Sequence, residues 1–536
     1  MADAGGPRVR VAGGADAPEG LLGAVLGYEA ALMADDLDAL ADWFEPGDDT
    51  MRADASGLLV GHDAITRFRG RRGGAGARRV VAVHVLPVAD GVAHVVVAHA
   101  PGAGGRGTVS QLWRRGQGRW RIAAAHVTAP APAFDRRTWR TLGDPLLPPT
   151  ASGALDGRTV AVKDVFAVAG HPIGAGIPAY LDEAPVEPRS AAAVDALRAA
   201  GAAIRGIART DQFAYSIAGR NPAYGTPPNP AVPGAVSGGS TSGPASAVAL
   251  GQADLGLGTD TAGSIRVPAS YQGLWGLRTT HGAVDRAGVL PLAPRFDTVG
   301  WLARDRATLE AAARASLPRA AGADAAGGAR PLDDAVLRVA PALLEGLGPG
   351  VREAFEAAVR ALGASGCEVR GLDVPALGAA ALDALFAAFR TAQAAEAWRA
   401  HGTWITAHPD ALAPDVAARF AWASEVTADD EAAAIAVLDA ARRDIDAALG
   451  DGLLLLPSAA SVAPALDAEG ADIEAVRTAT LRMTAVAGAT GRPALSVPGA
   501  EVDGAPLGTC VVGPRGGDLA LVSAAARWHE AIMQRD

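Results

Sequence analysis

Lysine is nearly absent from this chain. Of its 48 lysines and arginines, 47 are arginines (48 − 1), and the one lysine is Lys163. Cysteine is almost as scarce. Cys367 and Cys510 make no CxxC pair, so no disulfide framework is expected. No run approaches the ~18 uninterrupted apolar residues of a membrane helix. Residues 1–11 carry no apolar stretch behind their charges, so no signal peptide is expected and a cytoplasmic location follows. A basic surplus is also missing. The net charge of −10 disfavours a nucleic-acid or anionic-membrane partner. What is there is a chain of 536 residues, 49% apolar and 20% charged, with room for two or more globular domains.

One composition shift divides it. Residues 128–153 are proline-rich and without periodicity, which reads as a linker. The expected domains are 1–130, a linker over 131–153, and 154–536. The first unit opens with Leu21, Leu22, Val25, Leu26, Ala30 and Met33 on one helical face, then a short helix near 38–43. Four β-like runs follow, at 79–86, 93–98, 108–113 and 120–127, with turn residues at 89–91 and 115–118. Helices followed by an antiparallel meander predict an α+β cone. The second unit alternates strand 159–162, helix 190–200 and strand 203–207, the logic of an α/β sheet with chemistry in its loops. Residues 310–450 read as mostly helical, a layer or cap, and 319–330 as a surface loop.

The lone lysine lies in the apolar run Ala161-Val162-Lys163-Asp164-Val165-Phe166. A buried lysine can lose its proton near neutral pH, whereas arginine cannot. Lys163 therefore reads as a base, against the blander reading of compositional accident. The richest segment is Ser237-Gly238-Gly239-Ser240-Thr241-Ser242-Gly243, followed by Gly258 to Pro268 through Asp260, Thr261, Ala262, Gly263, Ser264 and Arg266. Glycine-rich loops let backbone N–H groups approach a ligand. A phosphate loop fails on spelling, because the only lysine is followed by Asp164. No dinucleotide GxGxxG opens a helix here, and no GxSxG elbow surrounds these serines. What remains is a serine nucleophile whose base is lysine, with backbone N–H groups in the 261–264 loop as oxyanion donors.

These residues resemble the amidase signature family. The spacing 264 − 240 = 24 matches the family's separation of relay and nucleophile, and 240 − 163 = 77 falls in its range for the base. The resemblance covers roughly 155–535 and implies an α/β amidase-signature core, a mixed sheet flanked by helices. Residue by residue it implies Ser264 as nucleophile, Ser240 as relay behind a cis peptide bond, and Lys163 as base. Thr261, Ala262 and Gly263 would supply the oxyanion hole, while Asp260 and Arg266 would brace the loop. Thr241 departs from the family's frequent second serine, at a position outside the relay. The segments 213–217 and 224–230 look most like the indole-acetamide-hydrolase branch, which also holds relatives with a dead site. Here all three triad residues are present.

The first unit resembles an AtzH-like domain, a small α+β cone of the SnoaL-like class, through Tyr28-Glu29-Ala30-Ala31-Leu32, Arg52, residues 61–65 and residues 118–127. The family pairs a tyrosine with an arginine at the spacing seen here, 52 − 28 = 24. That implies Arg52 holding a carboxylate and Tyr28 exchanging a proton; the alternative is that Tyr28 caps a core and Arg52 lies on the rim. His84, His94 and His99 do not space as metal ligands, and no metal or cofactor is expected. The expectation is an amidohydrolase that releases ammonia from a small-molecule amide or ureide, as a homodimer, with the first domain handling a carboxylated product. Three rivals stand beside it. They are an aryl- or indole-acetamide hydrolase with a non-catalytic first domain, a transamidosome-type subunit, and a non-enzymatic scaffold. Specificity residues are expected from 171–229 and 380–460.

Overall fold

The computed structural model describes residues 7–14, 16–54, 57–70, 78–101, 107–128, 134–317, 332, 335–468 and 471–534. The expected surface loop at 319–330 lies outside them. The chain divides into two compact units, Met1–Asp135 and Arg136–Asp536.

In the first unit, four long strands run antiparallel in sequence order: Arg78–Ala89, Val92–Pro101, Gly107–Gly116 and Arg119–Thr128. They are the four β-like runs of the sequence, each longer by a few residues. Alternation drives them: Ala93, Val95 and Val97 point into the core while their neighbours do not. Met51–Asp54 adds parallel to Arg119–Thr128, and Gly57–Val60 closes that edge. Arg8–Val11 closes the other edge, parallel to Arg78–Ala89. The helices Leu21–Ala34, Leu37–Asp42 and His62–Gly70 accompany this seven-stranded sheet, and Leu21, Val25, Leu32, Leu40 and Ile65 share the apolar core with its strands.

The second unit is a mixed eleven-stranded sheet flanked by helices. Its chemistry-bearing part is a parallel trio, Leu255–Asp260, Thr159–Lys163 and Ala203–Ala208. Thr298–Ala303 pairs antiparallel to the first of these. The central strands are buried on both faces and read as largely apolar runs. In Leu453–Pro457, Leu453 and Leu455 pack into one core and Leu454 and Leu456 into another. The second of these cores is covered by Ala379–Ala407, Pro414–Glu425, Ala428–Leu449 and Ala471–Thr490, a helical layer as the sequence predicts.

One expectation is corrected and one is refined. The presumed linker at 131–153 contains a strand, Trp139–Leu147, antiparallel to Ala203–Ala208. Its prolines hid it, but it is the last strand of the sheet, where a missing N–H costs no ladder bond, and Pro145 follows a cis Asp144–Pro145 bond. The helical stretch 310–450 also carries two strands, Leu337–Val339 and Val369–Gly371, at the opposite edge. Three residues are too few for a period to show.

Candidate active site

Two neighbouring parallel strands end in the two charged residues singled out by the sequence: Lys163 closes Thr159–Lys163 and Asp260 closes Leu255–Asp260. Loops at the carboxyl ends of parallel strands are where open α/β sheets place their sites. Lys163 is fully buried, and its Nζ donates to Ser240 Oγ at 2.8 Å and to Thr259 Oγ1 at 2.7 Å. Burial pushes its ammonium down to about 7, against the carboxylates of Asp211, Asp297 and Asp260, which favour the charged form. A cavity of about 220 Å³ is lined by Thr259, which Lys163 bonds, and by Arg286, Asp297 and Thr298 among others.

Ser240 follows a cis Gly239–Ser240 peptide bond. Its carbonyl accepts from Thr210 Oγ1 at 2.9 Å. A Cβ on Gly239 would meet Asp211 Oδ2 at 2.4 Å and Gly219 N at 2.6 Å, so only glycine fits there. The Asp211 carboxyl, raised by burial, accepts from Gly219 N and Ser242 Oγ and so ties the 211–219 segment to this turn.

Ser264 is 4% exposed, and its carbonyl accepts from Thr241 N at 3.2 Å, which joins the two serine loops. Among the described residues its hydroxyl makes no hydrogen bond. Asp260 holds the loop from inside. Arg266 grips its carboxylate with Nε at 3.0 Å and Nη2 at 2.9 Å, and the N–H groups of Gly263 and Ile265 donate to it at 2.8 and 3.2 Å. Burial alone would raise this carboxyl; the Arg266 charge and bonds, Arg278 and the Gly263 N–H outweigh burial and hold it well below the carboxylate range. The far side of the loop is held by helix Ala471–Thr490, whose Thr484 Oγ1 donates to the Ala262 carbonyl at 2.6 Å. Thr261 Oγ1 donates to Asp297 Oδ1 at 2.6 Å.

The loop's N–H groups separate into two sets. That of Gly263 is engaged by Asp260, so it is not free for an oxyanion in this arrangement. Those of Thr261, Ala262 and Ser264 make no hydrogen bond among the described residues. Sequence reasoning missed Thr259, Arg278 and Asp297. Thr259 stood inside the quoted motif beside Asp260, whereas Arg278 and Asp297 carry no local signal.

The stretches expected to supply specificity do meet. Phe213 stacks on His401 with centroids 4.1 Å apart and meets Tyr180, Trp404 and Phe420 edge-on, while Tyr215 meets Phe420. Phe213 and Phe420 are fully covered, so these rings are largely spent on one another.

In the first unit, the structure does not bond Tyr28 to Arg52. The Tyr28 hydroxyl accepts from Arg69 Nη2 at 2.8 Å. Arg52 Nη1 pairs with Asp54 Oδ2 at 2.8 Å, and its guanidinium lies over the Phe68 ring. Arg69, buried and without a carboxylate partner among the described residues, is the residue sequence reasoning missed. His94 bonds Ser110 Oγ, and His99 is buried, with burial and Arg78 holding it down to about 4.

A buried lysine donating to one serine, with a second serine on an adjoining glycine loop whose N–H groups are open, is an arrangement in which a serine could be activated without histidine. A family model described as Amidase matches residues 146–522, and one described as AtzH-like matches residues 20–132. The chain belongs to the amidase family and is an amidase, a hydrolase of amide C–N bonds, with an AtzH-like domain before the core. It is similar to Amidase 1 of Oryza sativa subsp. japonica, 31% identical over 72% of this chain and 93% of the relative. It is similar also to a solved allophanate hydrolase from Kluyveromyces lactis: 26% identity, TM-score 0.65, 74% of this chain and 67% of the other. A third likeness is to an inhibitor-bound vestigial protein complex bearing on the origins of an s-triazine catabolic enzyme: 27% identity, TM-score 0.63, 72% of this chain and 86% of the other. No helix among the described residues is long and apolar enough to cross a membrane.

Proposed function

We propose that this amidase cleaves a small-molecule carboxamide or ureide through a Ser264–Ser240–Lys163 relay and releases ammonia. The observation that carries this reading is the fully buried Lys163, 2.8 Å from Ser240 and depressed to about 7. At neutral pH its amine is neutral in a substantial fraction of molecules and takes the Ser240 proton as Ser240 takes that of Ser264. The Ser264 oxygen bonds to the carbonyl carbon. The oxyanion is received by the N–H groups of Thr261, Ala262 and Ser264, worth about 3 kcal/mol per donor. The C–N bond breaks as the proton returns through Ser240 to the leaving nitrogen. Water then hydrolyses the acyl-enzyme by the same relay and regenerates Ser264.

The likenesses to an allophanate hydrolase and to an s-triazine-related complex support a small nitrogen-rich substrate. The packing of Phe213 against His401 and Phe420, which leaves these rings covered, favours it over an aryl-acetamide. On this reading the AtzH-like unit takes a carboxylated product, with Tyr28 and Arg69 in contact and Arg52 braced by Asp54. The test is ammonia release by the full-length protein from carboxylated ureas and from aryl-acetamides, with Ser264→Ala as the blank. Ser264-dependent ammonia from the first set, abolished in a folded Ser240→Ala, is expected. Turnover of aryl-acetamides alone would overturn the substrate class, and full activity of Ser264→Ala would overturn the mechanism.

A further inference from the structure

The seven-stranded sheet of the first unit has two faces, and the unit's own helices cover one. Val83, Val85, Val95, Val97 and Trp113 join Leu21, Val25 and Leu40 in a single core. The residues between them on each strand point the other way. Register carries one row of these straight across six strands: Leu86, His94, Leu112, Ala124, Met51 and Val60. The row beside it runs from His84 through Val96, Ser110, His126 and Ala53 to Leu58. Among the described residues, none of these side chains joins an apolar cluster. Four of them are large, apolar and open: Leu86 is 50% exposed, Met51 43%, Leu58 61% and Val60 53%.

The chemistry and size of this face decide what fits it. Its two rows hold no Asp, Glu, Lys or Arg, in a chain that is 20% charged. The polar members are three histidines and one serine, and His94 Nε2 is bonded to Ser110 Oγ at 2.7 Å. Arg8 and Arg10 stand at the edge, on the strand that pairs with Ala82 and His84. A contiguous apolar surface with charge at its rim marks an interaction site. Two-fold pairing lays a patch on itself, so a charge in its middle would meet its like. An uncharged middle suits a second copy of the same face and gives an acidic or basic partner nothing to pair with. Six strands about 4.8 Å apart and two to three alternate rows about 7 Å apart make roughly 500 Å² in plan. Two such faces bury about 1,000 Å² before the relief of the side chains is counted, the size from which a specific interface begins.

We propose that this face is the interface of a symmetric dimer, in which two copies of the chain meet sheet to sheet through their AtzH-like units. The two sheets pack about 10 Å apart, with the side chains of the facing rows interleaved. The assignment does not depend on the amidase chemistry: every residue it uses lies in the first unit.

The test is the mass of the full-length protein, by light scattering on the size-exclusion eluate across a dilution series. The parent is expected at twice the chain mass of 53.8 kDa. Leu86→Lys and, separately, Met51→Lys each place two like charges in the proposed contact, one from each copy. Either should raise the dimer dissociation constant at least about a hundredfold, giving the mass of one chain at concentrations where the parent is paired. Both side chains are exposed and outside the core, so circular dichroism and the unfolding temperature should stay those of the parent. Val186→Lys changes an exposed apolar residue of the other unit and should leave the mass at two chains. A parent with the mass of one chain overturns the inference. So does a dimer that both charged variants keep, or one that only Val186→Lys breaks.

Discussion

Lys163 does two things that one charge state cannot do together. As an ammonium it would be matched by the Asp211, Asp297 and Asp260 carboxylates, and as an amine it can take a proton from Ser240. Full burial settles the contest near neutral pH, at about 7. On the proposed relay the amine is the working form, so kcat/KM should rise as pH climbs through about 7 and level off above it, with a flat profile counting against Lys163 as base. Lys163→Arg keeps the charge and loses the base, and kcat should drop about 10²–10⁴-fold while circular dichroism stays that of the parent. This residue was legible in the sequence for an unusual reason: with every other cation an arginine, the one lysine stood out. The opposite holds for Arg69. Among 47 arginines nothing marks one that is buried without a carboxylate partner among the described residues, because that fact exists only once its helix brings it to Tyr28.

At the scale of elements, the loop that carries Ser264 is held from both sides. Asp260 at the end of its strand takes Arg266, Arg278 and three backbone N–H groups, and Thr484 of the facing helix takes the Ala262 carbonyl. Asp260→Asn would leave two fully buried guanidiniums without their carboxylate. A loss of about 3–5 kcal/mol is expected, read as a lower denaturant midpoint, together with a lower kcat because the loop is no longer pinned. The sign with pH follows from the same pairing. The folded carboxyl is depressed, so its contribution is present above the ordinary carboxylate range and is lost as pH falls below about 4. The parent should therefore lose stability below that pH more steeply than Asp260→Asn in acid-unfolding titrations. The bracing expected of Asp260 and Arg266 came from the resemblance of their shared short motif, and the pair is bonded in the structure. Arg278 and Asp297 come from elsewhere in the chain and are brought in only by the pairing of Trp275–Arg278 and Thr298–Ala303. The strand inside the apparent linker was hidden by the same locality, since its prolines read as a break until the partner strand is known.

At the scale of the molecule, each unit has its own sheet and its own apolar core. Leu21, Tyr28, Trp113 and Ile122 belong to one, and Val160, Leu257, Trp301 and Leu455 to another. Lys163, Ser240, Ser264 and the Asp260–Arg266 pair all fall within Arg136–Asp536. The boundary matters at the single-strand level. A cut placed after 153, where composition alone would put it, removes Trp139–Leu147, which carries the buried Trp139 and pairs with Ala203–Ala208. That strand shields the parallel trio on which Lys163 stands, and its loss would bare a long sheet edge. Residues 136–536 expressed alone should fold and release ammonia with kcat within a few-fold of the full chain. Residues 154–536 should aggregate or unfold at a markedly lower temperature. Size-exclusion chromatography, thermal unfolding and ammonia release on the two fragments distinguish the cases. An inactive but folded 136–536 fragment would mean that the AtzH-like unit is needed for the amidase step itself, and equal stability of the two fragments would remove Trp139–Leu147 from the structural core of the amidase.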